Sequence, residues 1–390
     1  MNSVETFDVN MPTRIMFGAN RASEIGKEAS KFGKRAMIVT YKDTRGLEET
    51  IEKIAGYLKE AGLSVAIYSE VEPDPSVKII NRGAEMVRQE KSEMMIGLGG
   101  GSAIDAAKAI AVVAVNGGDA WDYPVCNPER REFSSSLPIL AIPTTSGTGS
   151  EVTPVAVITN REIVSKGAIV SPANIPRIAI VDPELMKTMP PGLTAATGAD
   201  ALGHAMEAFI STKATPFVAC MSPEAVKLIW DNLPTAVEDG SNMLARANMA
   251  WASTIAGIML VQSGATGNHA LAQALGAHLG VPHGLGVAIG TPYFLEYSRA
   301  EASDKYLQIA RKLGIGVGTD KVDEVVDEFI KQVRAFLVKI GIPTDLKDRS
   351  HEIDREALVE NAIFNAPAAL ANTPREVTHK DMEEIISKII

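Results

Sequence analysis

Four side chains that can bind a metal ion lie in two apolar, glycine-rich segments of the second half of the chain. Asp200 and His204 are four residues apart. On a helix this spacing places both side chains on one face, with Cβ atoms about 5–6 Å apart. His269 lies in a second run of helical character, and His283 directly follows a Val-Pro break at which that helix is expected to end. One carboxylate and three imidazoles suit a divalent first-row metal such as Fe²⁺ or Zn²⁺.

An Asp-x-x-x-His pair taken alone is more often a surface pair or a buried histidine with a partner. Here, however, three of the chain's six histidines take part in one set. His278 lies in the second segment without ligand spacing, and His351 and His379 lie in charged surroundings typical of solvated side chains. The sequence therefore favours a metal site formed by Asp200 and the three histidines of this set.

A glycine-rich turn in the first half of the chain can hold a phosphate. The apolar run at residues 94–98 passes through Gly99, Gly100, Gly101 and Ser102 directly into a helical pattern. Glycines let the backbone approach a ligand closely, and the N-terminus of the following helix offers free N–H groups to an anion. The residues depart from the G-x-G-x-x-G pattern, so a tight turn capped by the serine explains them equally well.

The elements that must position these residues differ between the two halves of the chain. In the first half, short apolar runs alternate with helical patterns, which predicts a mostly parallel sheet covered on both faces. The predicted strands are residues 36–40, 65–68, 94–98, 139–142 and 178–181, with helices at 47–61, 76–90 and 102–114.

Beyond about Pro190 the strand signals vanish, and Gly, Pro and Asn separate one helical pattern from the next. The predicted helices are 193–212, 222–238, 242–262, 265–279, 284–297, 301–313, 320–340, 353–364 and 378–388. We therefore predict an α/β nucleotide-binding domain at residues 1–184 and an all-helical metal-binding and substrate domain at residues 185–390. The metal ligands begin just after this boundary, where a cleft is expected.

Length and composition limit the function classes. A chain of 390 residues exceeds the size at which a single core stops growing, and its 46% apolar and 22% charged residues are typical of a soluble globular protein. A net charge of −10 without a basic stripe argues against nucleic acid as a partner. The sequence has no run of about 18 apolar residues, which predicts no membrane span. Cys126 and Cys220 form no disulfide framework, and the N-terminus is acidic, so a cytoplasmic location is expected.

The two histidine segments resemble both signature patterns of the iron-containing (group III) alcohol dehydrogenases. The first pattern runs from Asp182 through Pro190 to His204, and the second runs from His269 to Gly284. The likeness extends from the first strand to residues near the C-terminus, so it covers nearly the whole chain.

This resemblance implies a fold, a metal and a reaction. The fold is that of the dehydroquinate synthase-like and iron-containing alcohol dehydrogenase proteins, with an N-terminal dinucleotide-binding α/β domain and an all-helical C-terminal domain. The metal is Fe²⁺, with Zn²⁺ also suited to the donors, and the expected partner is a small alcohol or aldehyde. A homodimer or larger homo-oligomer is also implied. The implied catalytic metal ligands are Asp200, His204, His269 and His283.

The same resemblance assigns the binding of NAD or NADP. The glycine turn with Asp105 and Lys108 matches the pyrophosphate-binding motif, and Thr144 and Thr145 match threonines that contact the cofactor. Ser146 and Gly147 lie beside the same groove. Lys166 matches a lysine near the cofactor ribose, although taken alone it reads as a solvated lysine in a hairpin. The implied cofactor-binding residues are Tyr41, Gly99, Gly100, Gly101, Ser102, Asp105, Thr144, Thr145, Ser146, Gly147 and Lys166.

Tyr41 departs from the NAD-preferring members of the family, which carry an aspartate at this position. An acidic residue there bonds the adenosine ribose and repels a 2′-phosphate. Tyr41 does neither strongly, Lys42 or Arg45 can receive a phosphate, and Asp43 can replace the missing acid. The choice between NAD and NADP therefore stays open.

Further departures concern the proton route and the substrate pocket. Gln273 lies one turn after His269, where many members of the family carry a histidine, and an amide cannot serve as a general acid or base. Water, the cofactor ribose or His278 remain as proton routes. Val155 and Leu260 replace more polar or aromatic residues of a diol-handling relative, which favours simple alcohols and aldehydes over polyols.

The sequence thus predicts a metal-dependent NAD(P)-linked oxidoreductase that interconverts a small alcohol and its aldehyde or ketone. A glycerol-dehydrogenase-like polyol dehydrogenase or a dehydroquinate-synthase-like cyclase is the nearest alternative. A metallohydrolase, in which the glycine turn only reverses the chain, is a third. A binding module without activity has no need of an open metal site beside a cofactor turn.

Overall fold

A parallel β-sheet forms the first half of the protein in the computed structural model, which describes residues 6–44, 46–349 and 353–390. Six strands lie in the order β1-β8-β5-β4-β2-β3, and every neighbouring pair is parallel. Two further strands, β6 and β7, form an antiparallel hairpin. The strands are β1 (Arg14–Phe17), β2 (Arg35–Tyr41), β3 (Ser64–Val71), β4 (Met94–Gly99), β5 (Ile139–Pro143), β6 (Val155–Asn160), β7 (Ser165–Val170) and β8 (Ile178–Val181).

Helices cover both faces of this sheet, because alternate residues of each strand point to opposite sides. Met37 and Val39 pack with helices α3 (Val77–Glu90) and α4 (Gly101–Asn116) on one side. On the other side, Ile38 packs with α1 (Ile25–Ala29) and α2 (Glu48–Glu60). The predicted parallel sheet covered on both faces is therefore confirmed.

The second half of the chain is helical, and among the described residues no strand follows β8. Its helices share one hydrophobic core. They are α5 (Pro191–Ile210), α6 (Pro216–Glu238), α7 (Met243–Ser263), α8 (Gly267–Leu279), α9 (His283–Tyr297), α10 (Arg299–Lys312), α11 (Val322–Lys339), α12 (Arg355–Asn365), α13 (Pro367–Ala371) and α14 (His379–Ile389).

The predicted elements agree with the structure at most boundaries. All five predicted strands are present to within three residues, and all predicted helices except α6 agree to within two residues. Helix α6 begins after the N-cap Thr215, upstream of the predicted start at residue 222, and it contains Pro223. Strand β1, the bounds of strands β6 and β7, and the five-residue helices α1 and α13 were not predicted, because each is short and lacks a clear period.

Helix α7 is long and apolar enough to cross a membrane by length and composition alone. However, 67% of its apolar window is buried within the protein, as in the core helices of many globular domains. The buried Arg246 side chain donates from this helix to the carbonyl oxygens of Gly240 (2.9 Å) and Met189 (3.0 Å). The bond to Met189 anchors α7 to the segment that precedes α5, and the bond to Gly240 holds the connection between α6 and α7.

The helical half contacts the sheet half through a glycine pair. Gly149 has a φ of +61°, and a Cβ built on it would lie 2.5 Å from the Cα of Gly257 on α7. In return, a Cβ on Gly257 would lie 2.8 Å from the Cα of Gly149 and 2.9 Å from its carbonyl oxygen. Only glycine fits at either position without moving the backbone.

We therefore expect Gly257→Ala to destabilise the protein. The added methyl group meets backbone atoms that cannot rotate away, and overpacking of this kind costs about 1–3 kcal/mol. Gly56→Ala in α2 is the matched control, because a Cβ there meets nothing within 4 Å. This control should stabilise the protein by about 0.5–1 kcal/mol. Urea unfolding of both variants measures the difference, and equal stability in the two would contradict the close contact.

Candidate metal and cofactor site

Three helices bring the four predicted metal ligands together. Asp200 and His204 lie one turn apart on α5, which begins at a proline and is rich in alanine and glycine. Helix α8 carries His269 and ends at Gly280, whose left-handed conformation (φ +61°) lets the chain turn. Pro282 then caps α9, so that His283 is the first residue of this helix.

The donor atoms surround a single point. Oδ1 of Asp200 lies 3.8 Å from Nε2 of His204, 3.7 Å from Nε2 of His269 and 3.8 Å from Nε2 of His283. All four ligand atoms lie within 4.8 Å of one another. A tetrahedral metal with ligand bonds of about 2.0–2.2 Å requires donor separations of about 3.3–3.6 Å. The side chains therefore need only small movements to bind one cation.

Burial indicates that a positive charge belongs at this point. Asp200, His204 and His269 are all buried, and Oδ1 of Asp200 and Nε2 of His269 have no hydrogen-bond partner. Buried polar atoms without a partner are rare and costly. The His283 side chain is 32% exposed, so the site opens to solvent on this side. The donor set, its burial and its open side all fit a catalytic metal site.

The electrostatics of the site keep the imidazoles of His204 and His283 ready to bind a metal. For His269, burial favours a lower pKa, but Glu207 and Asp200 outweigh it and the pKa is raised. Burial, together with neighbouring positive groups, lowers the pKa of His283 to about 4. Burial also lowers the pKa of His204. For Asp200, burial favours a higher pKa, but the three imidazoles outweigh it and the pKa is lowered. At neutral pH the carboxylate is therefore ionised, and these two imidazoles are neutral, with a nitrogen lone pair available.

Glu207 is a functional residue that the sequence analysis missed. It is buried on α5, and its Oε1 lies 2.8 Å from Nδ1 of His269. Burial raises the pKa of Glu207, but His269 and the donors of Thr266 outweigh this effect, so the pKa is lowered. The available signal was its spacing: a glutamate in an apolar helix, two turns after Asp200 and on the same face.

The predicted phosphate-binding turn lies where the sheet topology favours a ligand. The chain runs outward from β2 to β3 and then returns to β4 on the other side of β2. Ligands of open α/β sheets bind outside the carboxyl ends of the strands at such a reversal. Tyr41 ends β2 and Gly99 ends β4. Gly99 has a φ of +146°, whereas Gly100 has an ordinary φ of −78°, so only the first glycine needs the unusual backbone.

Three loops meet around this glycine turn. The N–H of Thr144 donates to the carbonyl of Gly99 at 2.9 Å. A Cβ on Gly100 would lie 3.0 Å from both the Thr145 hydroxyl and the Tyr41 hydroxyl. Burial raises the pKa of Tyr41 to about 12, so its phenol is neutral and lies against the N–H groups that begin α4. The structure thus brings together the predicted residues of β2, β4 and β5.

Asp105 and Lys108 have partners inside the protein. The Asp105 carboxylate accepts from the Ser150 hydroxyl at 2.5 Å and from the N–H of Val157 at 3.0 Å. The fully buried Lys108 ammonium donates to the Ser150 hydroxyl at 2.7 Å and to the Val155 carbonyl at 2.8 Å. Both side chains hold the turn after β5 and the start of β6 against α4. Direct contact of Asp105 with a cofactor stays a prediction.

The loop after β5 continues from the glycine turn to the metal site. The Ser146 hydroxyl lies 3.0 Å from the sulfur of Met186, and a Cβ on Gly147 would lie 2.6 Å from Cβ of Thr197. Thr197 lies on α5, less than one turn before Asp200. One loop therefore touches both predicted sites.

Lys166 is buried rather than solvated. Its side chain is 2% exposed, and its ammonium forms an ion pair with Asp74 at 2.7 Å. A Cβ on Gly276 of α8 would lie 2.5 Å from this nitrogen, and the positive charge helps to lower the pKa of His283. Lys166 lies on β7 of the hairpin, but the interpretation that its side chain is solvated is wrong. The residue lies between the sheet half and the metal-binding helices.

The remaining predicted residues lie elsewhere. His278 is on α8, about 13 Å along the helix from His269 on the basis of its rise per residue. His379 lies 3.4 Å from Glu356 and 3.3 Å from Glu360, in the charged surroundings that the sequence predicted. Arg45 and His351 lie outside the described residues.

Comparison with known proteins agrees with this geometry along the whole chain. Residues 12–183 match the family model of iron-containing alcohol dehydrogenase, and residues 194–390 match that of the C-terminal region of the Fe-containing alcohol dehydrogenase family. This chain belongs to the iron-containing alcohol dehydrogenase family. The NADPH-dependent butanol dehydrogenase of Clostridium saccharobutylicum is 36% identical over 383 residues, covering 96% of both chains. The NAD-dependent methanol dehydrogenase of Bacillus methanolicus is 34% identical over 384 residues, covering 97% of this chain and 99% of the relative.

A solved structure extends this agreement to three dimensions. The crystal structure of an archaeal halo-thermophilic alcohol dehydrogenase from a Red Sea brine pool superimposes with a TM-score of 0.95 at 30% identity, covering 100% of both chains. The protein is thus an iron-containing alcohol dehydrogenase with a parallel-sheet α/β half and a helical half, and it carries a His/Asp metal site.

We expect His269→Ala and His283→Ala to lower the affinity of this alcohol dehydrogenase for Fe²⁺ and Zn²⁺ by more than about 100-fold, because each removes one of four donors. Metal analysis after dialysis against a fixed free metal concentration measures the loss. His278→Ala is the control, since this histidine lies on the same helix as His269 but outside the donor set. A control that lost as much metal as the ligand variants would contradict the assignment.

Proposed function

We propose that this alcohol dehydrogenase binds its metal through Asp200, His204, His269 and His283, and that it interconverts a small alcohol and its aldehyde or ketone by hydride transfer. The convergence of three Nε2 atoms on one buried carboxylate oxygen, at 3.7–3.8 Å, carries the proposal. A divalent metal held there supplies the Lewis acidity that polarises the substrate oxygen. The family name favours Fe²⁺, and the same donors suit Zn²⁺.

The exposed edge of the site sets the direction from which substrate enters. Asp200, His204 and His269 form a buried base, while His283 borders solvent. A substrate oxygen therefore approaches beside His283. By resemblance Val155 and Leu260 line the pocket, and both side chains are only partly exposed. An apolar lining of this kind favours simple alcohols and aldehydes over polyols.

The sheet half places the cofactor. A bound nicotinamide nucleotide supplies the hydride chemistry. The turn Gly99–Ser102 and the N-terminus of α4 receive the pyrophosphate, because free N–H groups and close backbone approach favour an anion there. Thr144, Thr145, Ser146 and Gly147 border the path from this turn to the metal ligands, and Lys166 lies at its far end.

The cofactor is NAD or NADP, and the residues near the adenosine ribose are compatible with either. Tyr41 has a neutral phenol where an aspartate would repel a 2′-phosphate, and Lys42 follows directly. The two relatives named above are an NAD-dependent and an NADPH-dependent enzyme. We place the nucleotide-binding domain at residues 1–184 and the metal and substrate domain at residues 185–390. We further propose a cytoplasmic homodimer or larger homo-oligomer.

A purified-protein screen tests this function. Small alcohols and aldehydes are assayed with NAD(H) and NADP(H), using protein loaded with Fe²⁺, loaded with Zn²⁺ or stripped by a chelator. We expect turnover of simple alcohols to fall at least about 100-fold on metal removal, because Lewis-acid stabilisation contributes several kcal/mol. Readdition of metal should restore activity. Undiminished turnover by metal-free protein would refute the metal role, and hydrolysis without nicotinamide dependence would support a metallohydrolase instead.

A second prediction concerns Gln273, whose side chain is half-buried one turn after His269 on α8. An amide does not ionise in the working pH range, so it cannot act as general acid or base. Gln273→Ala should therefore change turnover by less than about tenfold, below the 10²–10⁴-fold typical of a proton-transfer residue. The shape of the pH–rate profile should stay the same. Gln273→His, as the comparison, can add an ionisation near pH 6.5. A titration that the alanine variant lost would place Gln273 on the proton route.

A further inference from the structure

The Glu207 carboxylate is bonded at both oxygens. Oε2 accepts from the N–H of Thr266 at 2.7 Å and from its hydroxyl at 2.8 Å. Oε1 accepts from the Asn268 amide at 3.0 Å and faces Nδ1 of His269 at 2.8 Å. The side chain is buried, so water does not compete for these bonds. Four donors fix the carboxylate in one orientation.

These bonds join all three helices that carry the metal ligands. Glu207 belongs to α5, which also carries Asp200 and His204. Its donors lie at the start of α8, where His269 lies. Asn268 also donates to the Val287 carbonyl and to the Thr291 hydroxyl, both at 3.1 Å, on the helix that begins with His283.

The bond to Nδ1 determines which nitrogen of His269 carries a proton. An ionised carboxylate only accepts hydrogen bonds, so the neutral imidazole holds its proton on Nδ1. The lone pair then lies on Nε2. This atom is buried without a partner and lies 3.7 Å from Oδ1 of Asp200, at the point where the four donors converge. A histidine in the other tautomer would present an N–H to that point and could not bind a cation.

The charges of the buried site also balance. Within the described parts of the chain, Asp200 and Glu207 are the two acidic residues that pair with the histidines of the site. Their two negative charges equal the charge of one divalent cation, and a paired charge is far less costly to bury than a single one. Loss of the Glu207 charge would leave one positive charge of a bound divalent cation unbalanced in a buried site.

We propose that Glu207 is a positioning residue for the metal site, which holds His269 in its Nδ1–H tautomer and neutralises the second charge of the cation. This inference rests on the proposed function, because it requires that the four donors bind a metal. Carboxylates that orient a metal-binding histidine typically contribute about 10–100-fold to metal affinity.

A merely structural role for Glu207 predicts a different result. If the carboxylate only ties helices together, any change that loosens the same network should affect metal binding equally. Thr291→Val is the matched control for this possibility. The substitution removes the Thr291 hydroxyl of α9, which accepts a hydrogen bond from Asn268. Thr291 forms no hydrogen bond with Glu207 or His269.

The main experiment replaces Glu207 with glutamine, which keeps the shape of the side chain but turns one acceptor into a donor. If the amide NH₂ group faces His269, the imidazole proton moves to Nε2 and blocks ligation. If the NH₂ group faces Thr266, the backbone N–H of Thr266 meets a second donor instead of an acceptor. In both orientations the negative charge of Glu207 is lost. Co²⁺ is the probe, because its visible absorption reports coordination geometry as well as binding.

We expect Glu207→Gln to weaken Co²⁺ binding by about 10–100-fold and to change its visible spectrum, with Thr291→Val close to the parent in both readouts even where its Tm falls. Equal affinity and spectrum in Glu207→Gln and the parent would overturn the role of Glu207 alone. A Thr291→Val variant that lost metal as strongly would also overturn it. A parent protein that bound no stoichiometric Co²⁺ would instead overturn the proposed function itself.

A measurement on the parent protein covers the case in which Glu207→Gln fails to fold. In Zn²⁺-loaded protein with ¹⁵N-labelled histidine, two-bond couplings identify the protonated nitrogen of each ring, and through-bond correlation to the assigned backbone identifies the His269 ring. The inference requires an Nδ1–H tautomer for His269. An Nε2–H tautomer would refute it.

Discussion

The packing of the metal-binding helices in the second half of the chain is centred on the Oδ1 atom of Asp200. Three imidazoles approach it to 3.7–3.8 Å, and the protein provides it with no hydrogen-bond donor. Without a cation, these groups would be buried at a large desolvation cost, so metal binding and stability of this region are linked. The helices can come this close because their residues are small. A Cβ on Gly284 would lie 2.4 Å from the carbonyl oxygen of Ala196 on α5.

The same constraint explains the composition around the site. A metal site built between helices needs short interhelical distances, and a Cβ on Gly203 would lie 2.5 Å from a methyl group of Val287. Alanine and glycine along α5 and α8 are therefore packing requirements of the ligand geometry, although glycine lowers helix propensity by about 1 kcal/mol per residue. The buried hydrogen bonds of Glu207 offset part of this cost, and under the proposed function the bonds to a metal would offset more.

The sequence predicted those parts of the structure that depend on local pattern. The strands of the sheet are buried apolar runs, and Asp200 and His204 follow helical spacing, so both could be inferred. Lys166 and Asp105 could not be placed, because their partners come from distant segments: Asp74 for the lysine and Val157 for the aspartate. Glu207 was missed for the same reason, since its contact with His269 joins residues 62 positions apart. Strand β1 consists of four residues, and its partner β8 lies at the other end of the first half of the sequence. No local pattern reveals a pairing between segments so far apart.

Contacts between the two halves of the protein fix the distance between the cofactor turn and the metal site. In these contacts a glycine of one half lies so close to the other half that a Cβ atom would not fit. The pairs are Gly147 with Thr197, Gly149 with Gly257, and Gly276 with Lys166. Backbone contacts of this kind have less freedom than contacts between flexible side chains. Hydride transfer requires the reacting atoms to be about 3–3.5 Å apart, and an error of 1 Å in placement can cost about 100-fold in rate. A close-packed glycine junction is therefore a direct means of aligning a nucleotide held by the sheet with a substrate held by the helices.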